Sequence, residues 1–358
     1  MQVDYIIVGF GLAGLAYAEE LEKHNKTFIV ISDTSQNSSR VAAGMFNPVI
    51  LKRFTPVWNG KDQIELAIPF YRKIEEKLNK SLGNLDQKII QYIDIYAILK
   101  SIEQQNNWFV ACDKPVMEDY MIPKILENKN NQIIAPLGFG KLINTGKVLT
   151  ELLLDRYKNH LLQKEIFIEE TFQHKELIIK EDSVSYKNST ASKIIFCEGF
   201  GVKTNPFFNY LPLNEAKGEL LIIKAPKLQL DFMLKAAVFI MPLGNDLYKV
   251  GATFNWKDKT LIPTKEGKEE LITKLETVIN TEYTIVNQLA GIRPAVKDRR
   301  PLIGQHPKYK NVCILNGLGT RGVMLAPTMA KLLYQNLEEN QNLDKVIDIK
   351  RYQNLIGN

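Results

Sequence analysis

Residues 3–14 read Val3-Asp4-Tyr5-Ile6-Ile7-Val8-Gly9-Phe10-Gly11-Leu12-Ala13-Gly14, and this stretch decides the fold. An apolar run from Tyr5 to Val8 meets a Gly-x-Gly-x-x-Gly turn. Leu12, Leu15, Ala16, Ala18 and Leu21 then fall on one helical face. A second apolar run, Phe28 to Ile31, ends at Ser32-Asp33. Strand, glycine turn, helix and strand within about thirty residues is the layout of a dinucleotide-binding unit. Gly9 permits the tight turn, Gly11 lets backbone approach a pyrophosphate, and Gly14 lets the helix pack on the sheet. The helix N-terminus then offers free N–H groups and partial positive charge to the phosphates.

An acid that grips the ribose is expected about 20 residues after the last glycine. Asp33 lies 19 residues after Gly14. Ser32 is its neighbour, and successive strand residues point to opposite faces. One of the two therefore faces the ribose, and the spacing favours Asp33.

The totals exclude several classes. The 358 residues are 45% hydrophobic and 24% charged, values of a globular enzyme with room for two domains or one domain with an inserted lobe. A net charge of +6 is mild for this length and permits an anionic substrate or RNA without demanding either. The first strand begins at residue 3, so no signal or transit peptide is expected. No apolar run reaches membrane-spanning length, so no membrane partner is expected. Cys112, Cys197 and Cys313 are far apart and odd in number, which favours buried thiols in a reducing, cytoplasmic compartment. His24, His160, His174 and His306 make no metal-ligand spacing, so no metal site is expected.

Along the chain there is no repeat and no low-complexity segment. Periodicity predicts helices over 63–81, 147–162, 264–279 (capped by Thr264) and 325–337. Strands are expected over 89–99, near 166–170, 176–180 and 183–186, and at 193–196, 218–224, 237–242, 247–254 and 311–315. Residues 100–135 are mixed and polar and read as short strands. Strand–helix units at both ends therefore flank a β-rich middle. That pattern suits an α/β protein with a cofactor domain built from separated pieces and a substrate lobe inserted.

A second glycine device lies near the end. Gly291-Ile292-Arg293-Pro294 opens a block that runs to Gly304, and Asn316-Gly317-Leu318-Gly319-Thr320-Arg321-Gly322-Val323 follows it. A glycine turn that opens another helix is a second anion-binding or ring-binding element.

With these residues in place, the chain resembles the FAD-dependent amine and amino-acid oxidase superfamily, which holds D-amino-acid oxidase, glycine oxidase and sarcosine oxidase. The resemblance runs in order through the first glycine motif, Ser39 with Ala42 to Met45, Phe196 to Gly199, and Lys217-Gly218-Glu219. It continues through Met241-Pro242, Lys249 to Thr253, Gly291 to Gly304 and Gly317 to Pro327. It implies a discontinuous Rossmann-like FAD-binding domain (1–58, 140–213 and 290–358) and an inserted antiparallel-sheet substrate domain (59–139 and 214–289). Gly9, Gly11, Gly14 and Asp33 would hold the ADP half. Ser39, Arg40, Ala43, Gly44 and Met45 would wrap the pyrophosphate and the near side of the flavin. Phe172 would meet adenine through its backbone, and Gly199 would border the same site. Gly317, Gly319, Thr320, Arg321, Gly322 and Val323 would pass the flavin pyrimidine edge.

The resemblance further implies oxidation of a C–N bond in an amino acid or secondary amine. Arg293 matches the arginine that binds the substrate carboxylate, and Lys249 the lysine that activates oxygen. Their bland alternatives are a structural arginine paired with Asp298 or another acid, and an exposed strand lysine. Gly291 stands where sarcosine oxidases carry the cysteine that bonds the flavin, so FAD is expected to be non-covalent. Met324 stands where those enzymes hold the substrate carboxylate with a lysine. The run Gly319-Thr320-Arg321-Gly322 is also similar to the oxidoreductase domain of the bifunctional enzyme that makes 5-methylaminomethyl-2-thiouridine in tRNA. That similarity implies an alternative, removal of a carboxymethyl group from a wobble uridine, with tRNA as partner. The small molecule is the preferred substrate.

Overall fold

The computed structural model describes residues 1–33, 35, 37–84 and 88–356. Two large sheets dominate it, eight strands in each. In the first, Phe167–Glu169, Phe28–Ser32, Gln2–Val8 and Ser189–Phe196 lie side by side and parallel. Val312–Asn316 joins parallel to Ser189–Phe196 and carries Leu302–Gln305 on its far side, antiparallel. Val184–Tyr186 and Leu177–Ile179 extend the other end of Ser189–Phe196, also antiparallel.

The strand pattern explains the layering. Ile7, Val30, Ile195 and Leu315 face a core shared with helices Leu12–Lys23, Gly60–Leu82, Thr150–Gln163 and Gly322–Glu338. Their neighbours Ile6, Ile29, Ile31, Ile194 and Ile314 face a second core with Phe172, Tyr186, Val202 and Phe208. Both faces are covered, so the parallel strands are continuous apolar runs rather than alternating ones.

The second sheet runs in the order Thr284–Arg293, Ala216–Lys224, Leu247–Gly251, Phe239–Gly244, Met233–Lys235, Ile95–Ile98, Phe139–Leu142 and Met121–Leu126. Every pairing is antiparallel except Met233–Lys235 with Ile95–Ile98. One face packs Leu221, Ile223, Ile240, Tyr248 and Val250 against Leu271 and Leu275 of helix Lys265–Glu276. The Thr264 hydroxyl caps that helix by accepting from the Gly267 N–H at 3.1 Å. The opposite face carries Gly218, Leu220, Gly251, Phe239 and Lys235 toward the first sheet. Two strands, Phe139–Leu142 and Thr284–Arg293, run across the domain limits expected at 139/140 and 289/290. Helix Gly60–Leu82, expected in the substrate lobe, buries Ile64, Ala67 and Tyr71 in the core of the first sheet.

Three secondary-structure expectations need correction. Residues 100–135 contain a helix, Ile102–Cys112, before the strand Met121–Leu126. Ser101 caps the helix through Gln104 N–H, and the Gln104 side chain reaches back to the Lys100 N–H. The expected strand 89–99 is two, Ile90–Tyr92 and Ile95–Ile98, which serve different sheets. The strand expected to 254 stops at Gly251, and Phe254 leaves the sheet as half-exposed loop.

Candidate active site

The carboxyl ends of the parallel strands open on one side. Val8, Ile31, Ser32, Cys197 and Asn316 line a cavity of about 900 Å³ there, whose other wall is the second sheet. Binding outside the carboxyl ends of the strands is the general habit of open α/β sheets.

The first glycine turn is shaped for close backbone approach. Gly9 has φ +95°, and a Cβ on it would lie 2.6 Å from the Cys197 carbonyl oxygen. A Cβ on Gly14 would meet the Gly9 oxygen at 2.1 Å, so this residue lets the turn fold back on its helix and does not itself line the cavity. Gly11 does line it. The N-cap residue of helix Leu12–Lys23 is Gly11, with no side chain to cap it, and its first turn holds no acid, which leaves an N-terminus suited to an anion. Ser39 closes the turn from outside, its hydroxyl accepting from the Leu12 N–H at 3.2 Å.

At the end of the second strand both candidates border the cavity. The Ser32 hydroxyl accepts from the Phe10 N–H at 3.1 Å and so buttresses the glycine turn. One Asp33 oxygen accepts from the Thr171 hydroxyl and the other from Ser35. These hydrogen bonds hold its carboxyl below the usual carboxylate range against the effect of burial. Phe172 lines the cavity while its ring stacks on Tyr186 at 4.2 Å. Gly199, at φ +56°, borders the same end. Glu198 beside it is held by His174 at 2.8 Å and Asn205 at 2.7 Å.

Ala43, Gly44 and Met45 form the middle of the wall. Gly44 has φ +70°, and a Cβ there would lie 2.0 Å from the Val148 oxygen. Arg40 is not on that wall; its guanidinium pairs with Asp155 at 2.5 Å. The second glycine turn, with Gly317 at φ +72° and Gly319 at +57°, delivers Gly319, Thr320, Arg321, Gly322 and Val323 to the cavity. Gly317 shapes the turn from behind, since a Cβ there would press on Val296 and Leu302. Helix Gly322–Glu338 begins here with no side-chain cap and, as at the first motif, with no acid in its first turn.

These features fit FAD on physical grounds: two helix N-termini, neither with an acid in its first turn, aimed at one cavity, glycines where a Cβ would collide, and an acid at the second strand end. Gly291 leaves nothing to bond a flavin covalently at its position. Cys112, Cys197 and Cys313 are buried free thiols. Burial pushes the Cys313 thiol up to about 12, which leaves it un-ionised. No group of side chains suited to a metal ion occurs among the described residues. No helix among them is long and apolar enough to cross a membrane.

Arg293 projects into the cavity from the second sheet. Its guanidinium lies over Gly218, where a Cβ would be 2.0 Å from Nη2. Nη1 donates to the Thr253 carbonyl at 3.3 Å, and the Phe254 ring centroid is 4.3 Å from Cζ. No acid is paired with it among the described residues. Asp298, its expected structural partner, binds Arg351 and Tyr352 instead. Burial lowers the Arg293 pKa to about 10, so the group stays cationic at neutral pH. Lys249 does not line the cavity. It is half-buried, and Nζ donates at 3.2 Å to the carbonyls of Val41 and Ala42, at the end of the short helix Ser38–Val41 that borders the cavity. Met324 is buried, and its sulfur accepts from the Asn47 N–H.

The sequence reading passed over four contributors. Phe254 and Leu220 supply apolar wall, Thr171 holds Asp33, and Lys235 adds a cation to the lining. Fully buried Lys217 explains how Phe254 is presented. Its ammonium binds Asp258 and the Ile262 carbonyl, and its backbone pairs with Asn255, pinning the loop on both sides of Trp256.

The sequence matches the family described as FAD dependent oxidoreductase over residues 4–335. Glycine oxidase of Bacillus subtilis is 23% identical over 364 residues, which cover 94% of each chain. The tRNA 5-methylaminomethyl-2-thiouridine biosynthesis bifunctional protein of Campylobacter jejuni is 28% identical over 150 residues. That match takes in 41% of this chain and 23% of that protein. Among solved structures, glycine oxidase from Bacillus cereus superimposes with a TM-score of 0.76 at 17% identity, over 95% of this chain and 96% of that one. Iminodiacetate oxidase from Chelativorans sp. BNC1 gives a TM-score of 0.73 at 15% identity, over 97% and 98%.

Proposed function

Because this chain belongs to the FAD dependent oxidoreductase family, we propose that it oxidises the C–N bond of an amino acid or secondary amine carrying a carboxylate. The observation that carries this reading is Arg293, a cavity-facing guanidinium with no acid of its own among the described residues. A carboxylate would complete it through two parallel hydrogen bonds, the pairing for which a planar fork is suited. The names of the glycine and iminodiacetate oxidases point to the same substrate chemistry.

The first sheet and its two glycine turns are assigned to FAD, the second sheet to the substrate. Gly9, Gly11 and Ser39 would seat the pyrophosphate, with Asp33 at the ribose and Phe172 near adenine. Met45 and the run from Gly319 to Val323 would border the ring. When bound, FAD supplies a two-electron acceptor that takes hydride from the carbon beside the nitrogen; the resulting imine is hydrolysed by water. The protein's part is placement. Arg293 fixes one end of the substrate, while Leu220, Phe239 and Phe254 exclude water around the reacting carbon. A neutral amine needs no side-chain base, so orientation supplies most of the acceleration. Three buried free thiols support a cytoplasmic setting.

The test is anaerobic bleaching of the flavin by a panel of amino acids, N-methyl amines and bulk tRNA, with the native protein and Arg293→Met. Carboxylate-bearing amines should bleach it, and Arg293→Met should weaken their binding tenfold or more while retaining FAD. Equal bleaching by plain amines overturns the carboxylate. Bleaching by tRNA alone returns the reading to wobble-uridine modification.

A further inference from the structure

Arg321, Lys52 and Lys235 also line the cavity without an acid among the described residues, and of these Lys235 shares the second sheet with Arg293. It ends the strand Met233–Lys235, half-buried, on the face that carries Phe239 and Leu220. Its ammonium makes no hydrogen bond or ion pair among the described residues. Its charged neighbours are Lys274, which also lines the cavity, and Lys100. Lys274 does have an acid, Glu270. Burial and these two like charges all push the Lys235 pKa down. A half-buried lysine among lysines is unfavourable unless an anion arrives to offset it.

Strand register places this cation relative to Arg293. Leu220 pairs with Gly251, Gly251 with Phe239, and Phe239 with Lys235. Three strand spacings make about 14 Å between the Leu220 and Lys235 backbones. The Arg293 guanidinium lies over Gly218, two residues from Leu220 on the same strand. The two cations therefore sit at opposite ends of one apolar floor, Leu220 and Phe239, and each side chain can lean inward over it.

We propose that the substrate carries two anionic groups, one on each side of the oxidised carbon. Arg293 takes the carboxylate next to that carbon. Lys235, with Lys274 behind it, takes a second carboxylate or phosphate on the nitrogen substituent or side chain, several bonds away. This rests on the carboxylate reading of Arg293. The Lys235 contact makes no bond and moves no proton; it fixes the far end of the substrate and selects against neutral tails.

The experiment compares N-substituted glycines whose tails end in carboxylate or phosphonate with the same tails ended in amide. Dissociation constants are read from the spectral perturbation of the bound flavin and from calorimetry. The proteins are native, Lys235→Met, Lys235→Arg and Arg293→Met. The native protein should prefer the charged tail. Lys235→Met should lower that preference tenfold or more, and Lys235→Arg should restore most of it. An unchanged preference in Lys235→Met, with Arg293→Met still weakening every ligand, overturns this proposal and leaves the carboxylate reading standing. If Arg293→Met weakens none of them, the carboxylate reading itself has failed. A backbone phosphate of RNA carries the same charge. Bulk tRNA that displaces the short dianions, in a manner that Lys235→Met abolishes, overturns the small-molecule form of the proposal. FAD content and thermal melting, measured on each variant, separate loss of binding from loss of fold.

Discussion

The Arg293 guanidinium sits 4.3 Å from the centroid of the Phe254 ring, and that ring belongs to a loop rather than to the sheet that carries the arginine. Residues 39 apart in sequence thus form a cation–π pair at the cavity wall. The ring replaces the counter-ion that a buried arginine usually has, without neutralising the charge a substrate would need. It also fixes the plane of the fork. Lys217 extends the device, because its bonds to Asp258 and Ile262 hold the loop that carries Phe254.

Phe254→Ala should therefore weaken a carboxylate substrate while Arg293 is still present. The lost cation–π contact is worth about 1 kcal/mol, roughly fivefold in the dissociation constant. Phe254→Tyr should keep most of the affinity, since the aromatic face remains. Dissociation constants from anaerobic titration give the comparison. Unchanged binding in Phe254→Ala would mean that the Thr253 carbonyl and Gly218 alone orient the guanidinium.

The second and third glycines of the first motif should fail in different ways. At Gly11 a Cβ would lie 3.0 Å from the Ser39 hydroxyl, at the mouth of the cavity, so the fold can absorb a side chain but a pyrophosphate cannot. Gly11→Val should lose FAD and keep a cooperative, lower melting transition. At Gly14 a Cβ would collide with the Gly9 oxygen, so Gly14→Val should lose soluble protein altogether. The native protein should release all its FAD on acid precipitation, because Gly291 offers no thiol. Stoichiometric flavin in Gly11→Val, or flavin retained in the precipitate, would show that this account of the cofactor seat is mistaken.

The motifs were legible because each is local. Gly9 to Gly14, Ser32-Asp33 and Gly317 to Val323 carry their geometry in a few neighbouring residues, and the apolar runs beside them announced the parallel strands. Helix Ile102–Cys112 was local too, yet its polar run of Glu103, Gln104, Gln105, Asn106 and Asn107 hides the periodicity. The signal that could have found it is Ser101 with Gln104 three residues on, a capping box in all but its last contact. Phe254 and Lys235 were not legible. Each reaches the cavity only through the arrangement of the second sheet and its loop, and nothing near either in sequence records that. Arg40 shows the converse: it sits amid cavity-lining residues in sequence, and the turn directs it to Asp155.

Acid stability should carry the mark of Glu338. This carboxylate gathers Lys26, Lys193 and the Tyr5 hydroxyl, which tie the end of helix Gly322–Glu338 to two parallel strands and to the turn before Phe28. Burial opposes ionisation, but these partners win and hold the pKa down to about 2 against an ordinary 4.5. A depressed carboxylate stabilises the fold fully above its unfolded value and loses that contribution as pH falls through the folded one. The window is thus from about pH 4.5 down to about pH 2. Water reaches the group, so the contribution at neutral pH is set at about 1–2 kcal/mol, below the linkage limit. Glu338→Gln should melt lower at pH 7, and the gap to the native protein should narrow across that window. A gap that stays constant with pH would mean that the loss is one of packing, not charge.

Lys249 supplies the last prediction. Its ammonium holds the Val41 and Ala42 carbonyls and so ties the second sheet to the loop that leads into Ala43, Gly44 and Met45. Burial lowers its pKa, partly offset by Glu151. A cation held in a low-dielectric position beside the cofactor wall stabilises negative charge that develops there. The one step of the cycle that creates such charge outside the flavin is electron transfer to oxygen. Lys249→Met should therefore slow reoxidation of the reduced protein by oxygen far more than it slows reduction by an amine. Stopped-flow measurement of the two half-reactions separates them. A purely structural tie would slow both together and loosen FAD, and an exposed, idle lysine would change neither. If reduction and reoxidation fall by the same factor while FAD content drops, Lys249 is a clamp for the 41–42 loop. The acceptor in that case need not be oxygen.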